Sequence, residues 1–335
     1  MALFTKELGI DLGTNYTRVA EAGEVLLEEP TVAAIVVEEQ KMVAWGQEAQ
    51  DMLGRVPESI EVSRPLMNGV IADYEIIEFM LAALLKKVST PGRIFRPKVM
   101  ITVPYGVTSV ESRAVHEAAL QAGSREVTLI QQPLAAAIGV DLPIGTPSGN
   151  MVISLGAGAT QAAVLAMYGI IAADTLRAGG MALDEAIVSY TRKKYGVIIG
   201  SITAEQIKIR IGAAVPQDEE QSMEVQGQDQ VSGLPRPVSL TTGEVVEALR
   251  LPLEAVVESA RKVLEKTPPE LVSDIIDRGV ALTGGGALLR GIDILLTKEL
   301  GVPAYLVDNP TKCTVEGASV ALSMYPLLRR NLPTV

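Results

Sequence analysis

The usual reactive side chains are nearly absent from this sequence. In 335 residues there is one cysteine, Cys313, and one histidine, His116. A single cysteine excludes an internal disulfide and a cysteine-built zinc site. A single histidine excludes a histidine-cluster metal site and argues against a Ser-His-Asp hydrolase. Aromatic residues make up 4% of the chain, with one Trp and three Phe. The core must therefore be built from Val, Ile, Leu, Ala and Met, which suffices at this length. Positive charge is also scarce, with 29 Lys and Arg against 40 Asp and Glu, for a formal net charge of −11. With no basic patch to neutralise phosphates, nucleic acid is not an expected partner. Residues 1–8 carry Lys6 and Glu7 and lack the long apolar core of a signal peptide.

What is abundant is aliphatic. The hydrophobic share is 48% and the mean hydropathy is +0.28. From 142 to 173 there is no charged residue, a length that would span a bilayer if helical. Pro143, Gly145, Pro147, Gly149, Gly156, Gly158 and Gly169 interrupt it. It reads instead as two buried strands, 151–155 and 162–167, around a glycine turn.

The length suggests roughly two domains, and the pattern of elements alternates strand and helix. Strands are expected at 8–12, 17–21, 99–103 and 127–130. Helices are expected at 75–88, with Phe79 on the apolar side, at 109–122 and at 133–139. The second half repeats the plan. A strand pair lies around the glycines at 156–158, and helices follow at 183–195 and at 203–212, the latter capped by Thr203. A polar hairpin region spans 218–237, and a long helix runs from 243 to 265. Beyond it come a helix at 270–276, a strand at 279–283, a glycine turn leading into a helix at 287–300, and a last helix from 314 to about 328. Each half opens with strand, glycine turn, strand, which indicates an internal duplication of one α/β unit.

Three glycine turns follow expected strands: Asp11-Leu-Gly-Thr-Asn15, Gly156-Ala-Gly-Ala-Thr160 and Gly284-Gly-Gly-Ala-Leu288. Glycine lets backbone N–H groups approach an anion closely, so such turns form phosphate-binding concavities. Asp11, at a strand end beside its turn, suits a water-coordinated Mg²⁺. Neither a Walker A motif nor a Rossmann fingerprint is present, so a nucleotide would need another architecture.

The order of these motifs resembles the actin, DnaK-type chaperone and sugar-kinase superfamily. Residues 10–14 (IDLGT) resemble its first phosphate motif, 152–160 (VISLGAGAT) its second, and 282–287 (LTGGGA) its adenosine motif. Within it the chain is most similar to the MreB bacterial actins, through 68–73 (NGVIAD), 133–139 (PLAAAIG), 264–271 (LEKTPPEL) and 282–291 (LTGGGALLRG). The resemblance implies an actin-like ATPase fold, with two duplicated α/β domains and a nucleotide cleft between them. The implied division is domain I at 1–143 plus 311–335, with a peripheral subdomain at about 30–73. Domain II is 144–310, with a peripheral subdomain at about 180–241.

The resemblance further implies ATP or ADP with Mg²⁺ and slow ATP hydrolysis coupled to polymerisation. It implies head-to-tail protofilaments that support cell shape and cell-wall synthesis, in company with morphogenesis proteins. The implied location is cytoplasmic, peripheral on the inner face of the membrane. Carried over by position, Asp11 would hold the metal through water. Gly13, Thr14 and Asn15 would cradle phosphates from one side, and Gly156, Gly158 and Thr160 from the other. Glu205 and Lys208 would reach ribose or base, and Gly284, Gly285 and Gly286 would pack on the adenosine. Gln132 would orient the attacking water. Ile94 and Phe95, flanked by Arg93 and Arg96 in a Pro/Gly-rich loop, would enter the lipid interface.

Several positions depart from the family pattern. Ser154 and Met181 stand where it has Asp, Ala157 and Ala159 where it has Gly and Thr, Tyr16 where it has a small polar residue, and Gln132 where it usually has Glu. These departures favour, as an alternative, a filament or scaffold that binds nucleotide with little or no turnover. A small-molecule kinase of the same fold would need a carboxylate base near the γ-phosphate, for which Asp73 is the early candidate.

Overall fold

The computed structural model describes residues 6–39, 41–67, 69–88 and 96–334. The expected duplication is visible in two five-stranded sheets with one topology. In the first, Glu7–Leu12, Tyr16–Glu21 and Glu24–Pro30 form an antiparallel meander. On the other side of Glu7–Leu12, Lys98–Val103 and then Glu126–Gln131 are added in parallel. In the second, Asn150–Leu155, Thr160–Ala166 and Gly169–Leu176 form the meander. Val280–Thr283 and Ala304–Leu306 extend it in parallel.

Both meanders make their second reversal on two residues of positive φ, Ala22-Gly23 and Met167-Tyr168, the geometry that matches the twist of paired strands. Every position of Asn150–Leu155 and Thr160–Ala166 is buried. A sheet covered on both faces needs no alternation of polarity, which accounts for the uncharged run. No helix among the described residues is long and apolar enough to cross a membrane.

Two helices, Gln132–Gly139 and Cys313–Ala321, pack between the sheets. Their backbones nearly touch. A Cβ on Gly139 would lie 1.8 Å from the Cys313 carbonyl oxygen, and one on Gly317 would lie 1.8 Å from that of Ala135. Around this crossing one continuous core takes Met100 and Ile130 from the first sheet and Val152, Ala163 and Ala281 from the second. The two sheets are thus coupled through a glycine-permitted helix crossing.

Each sheet carries a peripheral three-stranded sheet. One is Lys41–Trp45, Ala33–Val36 and Ile60–Ser63. The other is Val197–Ile198 with the hairpin Ser222–Asp229 and Pro235–Thr241. The hairpin runs into the long helix Thr242–Glu265 through a capping box of Thr241 and Glu244, a device worth about 1 kcal/mol.

Four local expectations change. The helix expected from Thr203 is Ser201–Ile211 and starts after Gly200, whose extended backbone delivers the buried Ile199 into the core. The third glycine turn enters a single 3₁₀ turn, Gly285–Leu288, and the α-helix begins only at Ile292. Gly291, at φ 72°, separates them. The last helix is broken into Cys313–Ala321 and Tyr325–Leu328, with Pro326 in the first turn of the second piece. Phe79, expected on the buried side of Tyr74–Val88, is 53% exposed.

Candidate functional site

The ends of the two sheets face one another across a cleft of about 590 Å³, within the size range of small-molecule sites. All three glycine turns line it. The first two turns are built alike. A Cβ on Gly13 would lie 2.6 Å from the Tyr16 carbonyl oxygen, and one on Gly156 would lie 2.7 Å from that of Ala159. In each case the residue three positions on folds its carbonyl over the glycine, so only glycine fits. The two turns meet in the cleft floor, where a Cβ on Gly158 would lie 2.4 Å from Thr14 Oγ1. Gly284, at φ 84°, lets the third turn rest on the Leu155 carbonyl at the end of the central strand of the second sheet.

Asp11 ends its strand inside this cleft at 8% exposure. Its Oδ1 accepts from the Thr102 hydroxyl at 2.7 Å and from Gln132 Nε2 at 3.5 Å. Burial raises its pKa above the ordinary carboxylate value, against the opposing pull of Thr102, Arg18 and Gln132. Gln132 opens its helix beside Pro133, and its Oε1 accepts from Gln161 Nε2. Ser154 is buried, with its hydroxyl 2.7 Å from that of Thr283 on the neighbouring strand. That pairing satisfies a position where a carboxylate was expected.

Of the residues singled out from sequence, Asp11, Gly13, Thr14, Asn15, Gln132, Gly156, Gly158, Glu205, Lys208, Gly284, Gly285 and Gly286 all line the cleft. Thr160 does not belong to that wall. It is 1% exposed and its hydroxyl donates to the Ala178 carbonyl at 2.9 Å. Side chains alternate along a strand, so the residue aimed into the cleft is its neighbour Gln161. Lys208 is engaged within the protein, 2.7 Å from Asp184 Oδ1 and donating to the Gly180 carbonyl at 2.9 Å. Asp73 is not among the cleft residues either. Its carboxylate accepts from the Ile76 backbone N–H at 3.2 Å, at the start of Tyr74–Val88, which takes Asp73 out of the role of a kinase base. Ile94 and Phe95, with Arg93, lie outside the described residues.

Among the cleft residues that sequence reading missed, three bear on the chemistry. Gln161 is one. Asp184 is another: burial pushes its carboxyl up to about 6 despite the opposing charge of Lys208. It restores a carboxylate to the wall where Met181 had seemed to remove one. The third is Arg64, whose guanidinium is partly buried with no hydrogen bond to Nη1 among the described residues. Burial lowers its pKa, while Glu205, Tyr16 and Asp184 act to raise it.

The family model described as MreB/Mbl protein matches residues 5–330. The cell shape-determining protein MreB of Pasteurella multocida is 46% identical over 330 residues, covering 96% of this chain and 94% of the relative. MreB5 of Spiroplasma citri, solved with AMPPNP and with ADP, superposes at a TM-score of 0.91 with 30% identity, over 97% of this chain and 98% of that one. The chain in a MamK double helical filament shares the fold at a TM-score of 0.77 and 20% identity, over 95% of this chain and 98% of that one.

Proposed function

This chain belongs to the MreB/Mbl family, and from that premise we propose that it is an ATP-binding, filament-forming bacterial actin that supports cell shape and cell-wall synthesis. The observation that carries the reading is the convergence of three glycine turns, drawn from two duplicated sheets, on one cleft of about 590 Å³. The same fold in MreB5 binds AMPPNP and ADP.

In this reading the first turn (Gly13, Thr14, Asn15) and the second (Gly156, Gly158) present backbone N–H groups to phosphates. Thr160 supports the second turn through Ala178 rather than by direct contact. Gly284, Gly285 and Gly286 form the adenosine wall. Glu205 offers a carboxylate to ribose hydroxyls or base. Lys208, held by Asp184 and the Gly180 carbonyl, keeps a third N–H for the ligand. Arg64, whose Nη1 has no hydrogen-bond partner among the described residues, adds a donor that sequence reading had not supplied.

The residues fit a Mg²⁺ ion that takes most of its ligands from phosphate and water. Among the described residues no cluster of three metal-ligating side chains exists, and Asp11 is a carboxylate that burial disfavours and a cation would stabilise. When bound, the ion would neutralise charge on the phosphates. Gln132 holds its amide between Asp11 and Gln161, where it can orient a water but cannot take its proton as a carboxylate would.

Turnover is accordingly slow. Ser154 is committed to Thr283, and no carboxylate stands at that point of the second turn. The test is phosphate release by the purified protein with ATP and Mg²⁺. Slow, sustained release that Asp11→Ala abolishes supports the reading, and equal release from Asp11→Ala contradicts it. Binding without release selects the alternative of a non-hydrolysing scaffold.

The domain division at 1–143 plus 311–335 and 144–310 is part of the same proposal, with peripheral subdomains at about 30–73 and 180–241. It is supported by sheet membership and by the return of Cys313–Ala321 against the first sheet. There a Cβ on Gly9 would lie 2.3 Å from the Ser319 backbone nitrogen. Self-association into head-to-tail protofilaments, contact with morphogenesis proteins and attachment to the inner face of the cytoplasmic membrane through Ile94 and Phe95 complete the proposal.

A further inference from the structure

We propose that Gln161 is a positioning residue for Gln132, and that it fixes the direction of the Gln132 amide from across the cleft. The inference rests on the cleft being the ATP site and adds to that reading a residue that the glycine motifs do not reveal.

The observation is a hydrogen-bond chain with both ends chemically fixed. It starts at the backbone N–H of Tyr105, which can only donate, and which reaches Gln161 Oε1 at 2.7 Å. The Gln161 amide must therefore turn its NH₂ away from Tyr105, and Nε2 donates to Gln132 Oε1. That commits Gln132 to point its own NH₂ at Asp11 Oδ1, 3.5 Å away. Oδ1 of the ionised carboxylate can only accept, and it also takes the Thr102 hydroxyl at 2.7 Å. With a defined donor at one end and a defined acceptor at the other, neither amide has a choice of orientation.

The chain crosses the cleft twice. Tyr105 follows the first-sheet strand Lys98–Val103, and Gln132 follows the first-sheet strand Glu126–Gln131. Gln161 sits on Thr160–Ala166 of the second sheet and is inserted between them, at 2% exposure. Its cross-strand partner in the register is Thr175, whose hydroxyl donates to the Tyr105 carbonyl at 2.8 Å. One register pair of the second sheet therefore holds both backbone polar groups of Tyr105.

A carbonyl oxygen has two lone pairs. Gln161 occupies one on Gln132 Oε1, and the other remains for a water in the cleft. Glutamine χ3 is a broad, roughly two-fold torsion, so without the Gln161 donor only the 3.5 Å contact to Asp11 orients the Gln132 amide. The Gln161 and Thr175 contacts thus join the second sheet to the first at the point where that water would sit.

The test uses Gln161→Glu, which keeps the size and the acceptor for Tyr105 but loses the donor, and Gln161→Met, which loses both. ATP-dependent phosphate release is measured at matched assembled fraction, and the Gln132 side-chain amide is followed by NMR in nucleotide-free, ¹⁵N-Gln-labelled protein, assigned by its loss in Gln132→Glu. Both variants are expected to lose about 10- to 100-fold in kcat, with KM for ATP within about twofold, and to shift the Gln132 amide signals. Gln161→Glu retaining wild-type kcat while Gln161→Met loses it would assign Gln161 a merely structural role and overturn the proposal. Unchanged Gln132 signals in both variants would also overturn it. If the wild type itself releases no phosphate, the turnover reading fails, and the amide signals alone decide whether Gln161 positions Gln132.

Discussion

The crossing of Gln132–Gly139 and Cys313–Ala321 makes a sharp demand on two glycines, and Gly317→Ala tests it. The new Cβ would lie 1.8 Å from the Ala135 carbonyl oxygen and 2.6 Å from the Gly139 nitrogen, both backbone atoms. Neither can swing aside as a side chain does, so the helices must part by about 1 Å or more in a core packed at crystal-like density. Overpacking of this kind costs about 3 kcal/mol or more when the neighbour is backbone. For a chain of this size that corresponds to a drop of about 4 °C in Tm. The control is Gly301→Ala. Gly301 ends a helix at φ 70°, and a Cβ there would meet nothing within 4 Å, so the change costs only the left-handed backbone penalty of about 1 kcal/mol. Thermal and guanidinium unfolding of the two variants should differ by at least about 2 kcal/mol. Because the crossing joins both sheets, Gly317→Ala should also weaken ATP binding, while Gly301→Ala should not. Equal destabilisation by the two variants would refute the reasoning.

Three further outcomes can be measured. Asp184 has its pKa raised to about 6 in the folded protein, so the native state holds that proton over a pH range where the unfolded chain has released it. Its contribution to stability therefore falls as pH rises from about 4 through about 6, and urea midpoints across that range should lose this component in Asp184→Asn. Ser154→Asp places a carboxylate where Thr283 can donate to it, and phosphate release should rise. An unchanged or lower rate would detach Ser154 from the slow turnover. Replacing Ile94 and Phe95 together by Ser should strongly reduce co-sedimentation with anionic liposomes, since two buried side chains supply about 2–5 kcal/mol per subunit, multiplied by avidity in a filament. Equal sedimentation would remove that pair from the membrane contact.

Much of the cleft is legible in the sequence because its geometry is made by glycine. Gly13, Gly156 and Gly284 each follow a buried strand, and each stands where a Cβ would strike a backbone carbonyl. A turn with that requirement leaves a mark in the sequence. The internal duplication is visible for the same reason, since strand, glycine turn and strand recur in both halves. What sequence reading missed are single side chains delivered by long-range packing. Arg64 precedes a proline at the edge of a peripheral sheet, and Asp184 lies within a helix otherwise read only for its length. Neither carries a local motif. Thr160 and Gln161 show the parity problem. The motif names the threonine, but the strand turns it toward Ala178 and presents the glutamine to the cleft. Phe79 shows another limit, because helical periodicity placed on the core side a ring that is 53% exposed.

The central claim, that nucleotide in this cleft drives assembly, is tested most directly by electron microscopy of the purified protein with ATP and Mg²⁺, wild type beside Gly156→Val. In the variant, the Cβ alone would fall 2.7 Å from the Ala159 carbonyl oxygen, which distorts the second turn at its base. The account predicts filaments from the wild type that require ATP, and none from the variant at the same concentration. Filaments that form equally in the variant, or without nucleotide, would contradict it.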